Sequence, residues 1–470
     1  MGGSSEAAEV GCRIISTVDV LVVGGGPAGI GAAVGAAYHE NLRVAIVDEG
    51  GCFGGAVPKS LITFAEGGVV CSGDQLLIKG VWQRIQDEMV RRGGAIPAHE
   101  LIHSNKYYPF DRSRCEKDLQ LTIFDPECFK LAADEILTSH PNIQPILYTR
   151  AVAPIMSGNR VTGVYVENRE GRGAILAKRV IDATGMSFLL RAAGAECVST
   201  CANAPHRQGP ILVFFRAGGI SEVTPTYRPN VTDVPYGAIN LFPTMRDHEY
   251  RIEMTRALGD GSSVEDMTRA SIECRRQIPE IIEYLRKNWY GCENIYLIDS
   301  GNEALPMSLY KLVGRRPVCV NDMLNGVVPE DTIALCGYGI DVHSAEKGGQ
   351  NYLHYLEPGQ YYGIGYGTLV PASEVENILT AGKSVSCESG AEAAIMATAL
   401  SMATGEAAGT ACAISIREGV NARDVDIGML QQALVKNGVL LDPEPAPSVE
   451  KYYVYPKREF KLDENGKLKG

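Results

Sequence analysis

The chain has 470 residues, enough for two or three structural units around a large core. Hydrophobic residues make up 45% and charged residues 21%, the balance of an ordinary globular protein. A formal net charge of −12 leaves no basic surplus to neutralise phosphates, which argues against nucleic-acid and anionic-membrane partners while leaving room for a local basic pocket.

Residues 1–16 are rich in Gly, Ser and Glu and are expected to be loose. They lack the charged and apolar regions of a secretory signal. The 13 cysteines are scattered, with no C-x-x-C pair and no zinc spacing, so a reduced, cytoplasmic chain without a metal site is expected.

The first part of a nucleotide-binding domain is read over 17–195. A β-branched run from Asp19 to Val23 feeds Gly24-Gly-Gly26-Pro27-Ala28-Gly29 and then an Ala-rich helix. Gly24 permits the tight turn, Gly26 lets backbone approach a pyrophosphate, and Gly29 lets the helix pack on the sheet. A second strand, Arg43 to Asp48, ends in a carboxylate about twenty residues beyond Gly29, where a ribose-binding acid belongs. The alternative is a Rossmann-like unit without a ligand. Glu49, Gly54, Gly55 and Ala56 follow in a stretch so rich in glycine that its backbone is expected against a ligand. Cys52 invites comparison with a redox disulfide, but the second cysteine would fall at Val57.

Val81, Ile85, Met89 and Val90 mark an amphipathic helix, and Asp125-Pro126 caps another. Ile146 to Val152 is read as one strand. Arg160 to Glu167 alternates as a half-exposed strand after a Ser157-Gly-Asn159 turn. Val180 to Asp182, followed by Ala183, Thr184 and Gly185, is a buried strand running into a glycine turn.

From 196 to 330 the chain turns Pro-rich and aromatic, with a charged helix from Ser263 to Asn288, and is read as an inserted α+β substrate or cap domain. Residues 331–440 return to the first domain through short strands and a helix from Ala391 to Arg417, whose small residues allow close backbone approach. Residues 441–470 are expected to form an extended arm, a candidate contact for a second copy of the chain. The fold class is therefore α/β, a doubly wound, mostly parallel sheet with an inserted domain.

With these pieces in order, the chain resembles FAD-dependent oxidoreductases related to the fumarate reductase and succinate dehydrogenase flavoproteins. The resemblance runs from about 17 to 440 and rests also on Phe124-Asp-Pro, Ile181-Asp-Ala-Thr-Gly, Ile340-Asp-Val-His343, Ala381-Gly-Lys383 and Gly405-Glu-Ala-Ala-Gly409. It implies FAD as cofactor, Asp48 on the adenosine ribose and Gly54-Gly55 against the cofactor. It further implies that the backbone near Val152 flanks adenine and the segment entering the last helix flanks the flavin. That family often carries an arginine near Met307, a histidine near Cys387 and an arginine near Ala394. None stands here, so an arginine proton donor is not carried over.

Flavin chemistry needs a proton carrier beside the reacting bond. His343 is the first candidate, with Asp341 to orient it; the alternative is a structural histidine. Tyr366 could line the substrate side or pack in the core. Cys387 could be activated at a helix N-terminus or be a buried inert thiol. Lys59 could meet a flavin phosphate or an acidic substrate. No second G-x-G-x-x-G stands between a strand and a helix to hold NAD(P)H. The expected function is hydride transfer between a small organic substrate and flavin N5. The alternatives are a net non-redox rearrangement and a non-catalytic flavin-binding module.

Overall fold

The computed structural model describes residues 11–39, 41–69, 75–101, 121–200, 210–221, 226–228, 239–307, 309–342, 352–354, 356–357, 359–443, 461–462 and 468–469. The first apolar run lies in β1 (Arg13–Val23), whose last six residues are buried. Its early half is strand rather than the loose tail expected up to residue 16, because Arg13 and Ile14 pair with Gly173 and Ala174. The strand feeds α1 (Pro27–Ala37), buried from Ala28 onward, and β2 (Val44–Val47) lies parallel to β1.

Two further helices, α2 (Val81–Arg91) and α3 (Pro126–Thr138), pack against each other and against α1. Asp125 caps α3 by accepting the Glu127 N–H at 2.9 Å, with Pro126 at the first helical position, as the sequence predicts. Next come β3 (Ile143–Ile146), parallel to β2, then β4 (Arg150–Ser157), β5 (Arg160–Asn168) and β6 (Gly171–Asp182) as an antiparallel meander. The single strand expected from Ile146 to Val152 is two. The Tyr148 N–H donates to Gly50 O and the Thr149 N–H to Asp48 O, which pulls the chain across the end of β2 with Tyr148 at φ 54°. The far end of β6 runs parallel beside β1, Val23 facing Asp182.

A second sheet is antiparallel throughout. It contains β7 (Phe215–Gly218), β8 (Thr226–Arg228), β9 (Ile239–Pro243), β10 (Tyr250–Ile252) and β11 (Tyr296–Ser300), in the order β8-β9-β10-β7-β11. Phe215, Leu241 and Ile252 form one core with Cys274, Ile278 and Leu285 of α4 (Val264–Asn288), which Ser263 caps.

The chain returns through β12 (Thr332–Cys336) and β13 (Tyr362–Gly365), an antiparallel pair. It then adds β14 (Ile378–Thr380) in parallel to β6, Thr380 facing Asp182. The single long helix expected from Ala391 is broken at Ala397, whose ψ of 137° is extended. A short helix, Glu392–Met396, precedes α5 (Thr398–Glu418). The anticipated close approach is there. A Cβ on Gly405 would stand 1.9 Å from Ala28 O, and one on Gly409 2.0 Å from Ala32 O, so α5 and α1 touch backbone to backbone. Among the described residues no helix is long and apolar enough to cross a membrane. Most of the expected C-terminal arm, 444–460, lies outside the described residues.

Candidate functional site

The loop between β1 and α1 is shaped by two steric demands. Gly24 has φ 102°, and a Cβ there would stand 2.4 Å from Ala183 O. A Cβ on Gly29 would stand 1.8 Å from Gly24 O. Gly26 is the N-cap of α1, with Pro27 following, no side-chain cap and no acidic residue in the first turn. The Gly54 N–H donates to Gly25 O at 2.8 Å, which draws the second glycine loop alongside. A Cβ on Gly26 would meet nothing nearer than Gly55 Cα at 3.8 Å. The first turn of α1 therefore presents its backbone N–H groups, and the positive end of its dipole, between two loops lacking side chains.

Asp48 ends β2 almost fully buried. Its Oδ2 accepts the Gly25 N–H at 2.8 Å and its Oδ1 the Gly50 N–H at 2.7 Å. It thus braces both sides of the turn, with lone pairs left over. Lys59 closes the short helix Ala56–Lys59 and sits 3.4 Å from Asp48 Oδ1 and 3.3 Å from Glu303 Oε1. Burial alone would pull its ammonium down, but Asp48 and Glu303 outweigh it and hold it above its ordinary value. Glu49 is exposed, 3.6 Å from Arg150. Val152 lies where the pairing of β4 with β5 skips a residue.

On the other side, the Ala183 N–H donates to Val23 O at 2.8 Å. The fully buried Asp182 beneath accepts the Thr184 hydroxyl at 2.6 Å and the Leu190 N–H at 3.0 Å, fixing the Ala183-Thr184-Gly185 turn. The Ala381 N–H donates to Asp182 O, and the Gly382 N–H to Thr404 Oγ1 at 3.0 Å. The turn and the Gly382–Ser384 segment therefore flank the start of α1.

Of the three residues considered for chemistry, His343 lies outside the described residues. Tyr366 is buried, and its hydroxyl donates to Ala422 O at 2.5 Å, with burial holding the phenol well above its ordinary value. It takes the core-packing alternative. Cys387 is buried, and burial pushes its thiol up to about 12. A single 3-10 turn, Ser389–Ala391, begins two residues on and leads into the α-helix at Glu392, and burial outweighs it at the thiol. Sequence reasoning missed the charged pair nearby. Lys311 Nζ stands 3.2 Å from Glu392 Oε1, both fully buried, and donates to Lys383 O at 2.5 Å. Thr200 donates to the same Glu392 oxygen at 2.6 Å.

Where the second sheet meets the nucleotide unit, Ile62 and Met396 pack against Leu212, Phe214 and Met307. The Ser60 hydroxyl donates to Glu303 O at 3.0 Å across the same contact. The sheet face turned away from α4 is polar yet buried, carrying Arg216, Asn240, Arg251 and Glu253. The Arg251 guanidinium lies 4.4 Å from the Phe64 ring centre and 4.5 Å from those of Phe214 and Phe242. Its Nη2 is 3.1 Å from Glu253 Oε2. Arg216 is held by Asp299 and Glu249. Alternation of these residues with apolar ones was the only sequence signal, and it reads equally as a wet strand face.

A family model described as FAD dependent oxidoreductase matches residues 19–434. No curated protein matches the chain. Among solved structures, a geranylgeranyl bacteriochlorophyll reductase-like protein from Thermoplasma acidophilum is similar at 16% identity, over 90% of this chain and 84% of that one, with a TM-score of 0.46. The p-nitrophenol 4-monooxygenase PnpA from Pseudomonas putida DLL-E4 is similar at 11% identity, over 90% and 84%, with a TM-score of 0.47. The Diels-Alderase PyrE3 of pyrroindomycin biosynthesis is similar at 11%, over 90% and 69%, with a TM-score of 0.43. At these scores the likenesses say nothing of substrate.

Proposed function

The chain belongs to the FAD-dependent oxidoreductase family, and from that premise we propose that it moves a hydride between a small organic molecule and the flavin, with FAD laid along the α1 cradle. The observation that supports the seat best is the uncapped first turn of α1, set between glycine loops that a single Cβ would obstruct. Bound FAD supplies the two-electron acceptor or donor.

The chain's own residues do the rest. The N–H groups of Ala28 and Gly29 would hold the pyrophosphate, which Gly24, Gly26, Gly54 and Gly55 would allow to come close. Asp48, already fixed by Gly25 and Gly50, keeps lone pairs for the ribose hydroxyls. The bulge at Val152 would flank adenine, and Ala183 to Gly185 with Gly382 would close the flavin side. His343 is assigned the proton, since imidazole titrates where such work is done.

Denatured protein should release FAD, and Asp48→Ala should weaken FAD retention at least tenfold in a dilution series. Unchanged retention removes Asp48 from the site. His343→Gln should keep FAD and the fold while losing about 10²–10⁴-fold in turnover. Turnover within a few-fold of the parent across pH makes His343 structural.

A further inference from the structure

The polar face of the second sheet contains two side chains whose hydrogen-bonding capacity is not used. Arg251 is 1% exposed and Asn240 0% exposed. Arg251 bonds Glu253 through Nη2, but its Nε–H has no partner among the described residues. Among the same residues neither Oδ1 nor Nδ2 of Asn240 has one either. Folding does not favour this by itself, because each buried donor without a partner carries its desolvation cost in full. An apolar residue of Asn240's shape would fold better.

The register places the two together. Arg251 stands opposite Phe242, and the Glu253 N–H donates to Asn240 O at 3.0 Å, so Asn240 and Arg251 occupy neighbouring rows of one face. Phe64, Phe214 and Phe242 surround the guanidinium and supply an apolar wall. Phe214 also packs with Met307, Ile62 and Met396, and Met396 leads directly into α5. Arg251 thus lies one ring, Phe214, away from the segment that enters the last helix.

We propose that this face holds the carboxylate of a small, partly apolar organic acid, with Arg251 Nε–H and Asn240 Nδ2–H as its donors and the three phenyl rings against its carbon skeleton. The assignment rests on the reading that a small organic molecule reacts at the flavin, and it names that molecule's class. Arginine is a donor only, stays charged, and meets a planar carboxylate edge to edge. The aromatic wall excludes water and so strengthens the charge-assisted bonds it surrounds.

The test is equilibrium dialysis of the purified holoenzyme with benzoate, phenylacetate and hexanoate, each beside its neutral amide, and with benzylamine. At least one acid should bind ten times or more tighter than its amide. Asn240→Leu should weaken that acid about tenfold and Arg251→Gln about a hundredfold, at unchanged FAD content. Arg251→Gln strands Glu253 and can fail to fold, so Asn240→Leu and the double variant Arg251→Gln/Glu253→Gln are decisive. The proposal is overturned if no acid outbinds its amide tenfold, if benzylamine binds tightest (Glu253 would then be the recognising group), or if Asn240→Leu binds like the parent. FAD content is read on the same samples. Protein without FAD sinks the functional reading, while the dialysis still decides whether the face takes a carboxylate.

Discussion

The contact between α1 and α5 and the polar face of the second sheet are both shut off from solvent, by opposite means. In the first, side chains are removed until backbone meets backbone, with Gly405 on Ala28 O and Gly409 on Ala32 O. In the second, charged and amide side chains are kept, and Phe64 from a distant segment joins Phe214 and Phe242 around the guanidinium. Close packing of backbone leaves no room for one added carbon. A polar face with unused donors gains stability when it becomes apolar, and loses whatever those donors recognise. The helix contact is built for position and the sheet face for a ligand.

Substitutions sharpen the contrast most where the two predictions have opposite signs. Gly405→Ala should cost more than about 3 kcal/mol or leave the protein insoluble, because its Cβ drives α5 off the first turn of α1. Asn240→Leu should leave stability unchanged or raise it by about 1 kcal/mol. Urea denaturation of both variants measures this. A tolerated Gly405→Ala, or an Asn240→Leu that unfolds the protein, breaks the comparison.

A pH-dependent effect lies inside the helix contact itself. Glu406 is fully buried on α5, accepts the Val81 N–H at the start of α2 at 2.9 Å through Oε2, and leaves Oε1 without a partner. Burial, offset in part by that N–H and by Arg84, raises its carboxyl from 4.5 to about 7. The folded pKa lies above the unfolded one, so between these values the folded chain holds the proton that the unfolded chain has lost. Glu406 therefore contributes stability that is full below 4.5 and gone once pH has passed about 7, about 3 kcal/mol in all. Denaturation midpoints from pH 4.5 to 8 should show this fall in the parent and a flatter profile in Glu406→Gln. Identical profiles remove Glu406 as its source.

What was legible beforehand follows the same division. The β1–α1 turn, the Asp125 cap and the small-residue helix contact are local statements: a residue type at a fixed offset does the work at that offset. Of the residues named from sequence, the Gly24–Gly29 turn, Asp48, Gly54, Gly55 and Ala183 accordingly meet around the start of α1, while Glu49 is exposed beside Arg150. The break between strands at Tyr148 was missed because its partners, Asp48 and Gly50, lie about a hundred residues earlier. Arg251 alternates with Ile252 as in any strand with one wet side, and only Phe64, from far up the chain, makes it a buried cation. Lys311 and Glu392 are unremarkable until the fold sets them 3.2 Å apart. Tyr366 and Cys387 were ambiguous for the same reason, since a polar tip in an apolar stretch suits either a site or a core.

The central claim is that electrons pass between a small organic substrate and the FAD of this chain. Anaerobic mixing of holoenzyme with a library of small organic acids, followed by flavin absorbance, tests it most directly. The expected result is a lasting bleaching of the oxidised flavin by at least one acid, with no rapid reduction by NAD(P)H alone. Direct, rapid reduction by NAD(P)H, or turnover of an acid with the flavin oxidised throughout and no acceptor consumed, would contradict it.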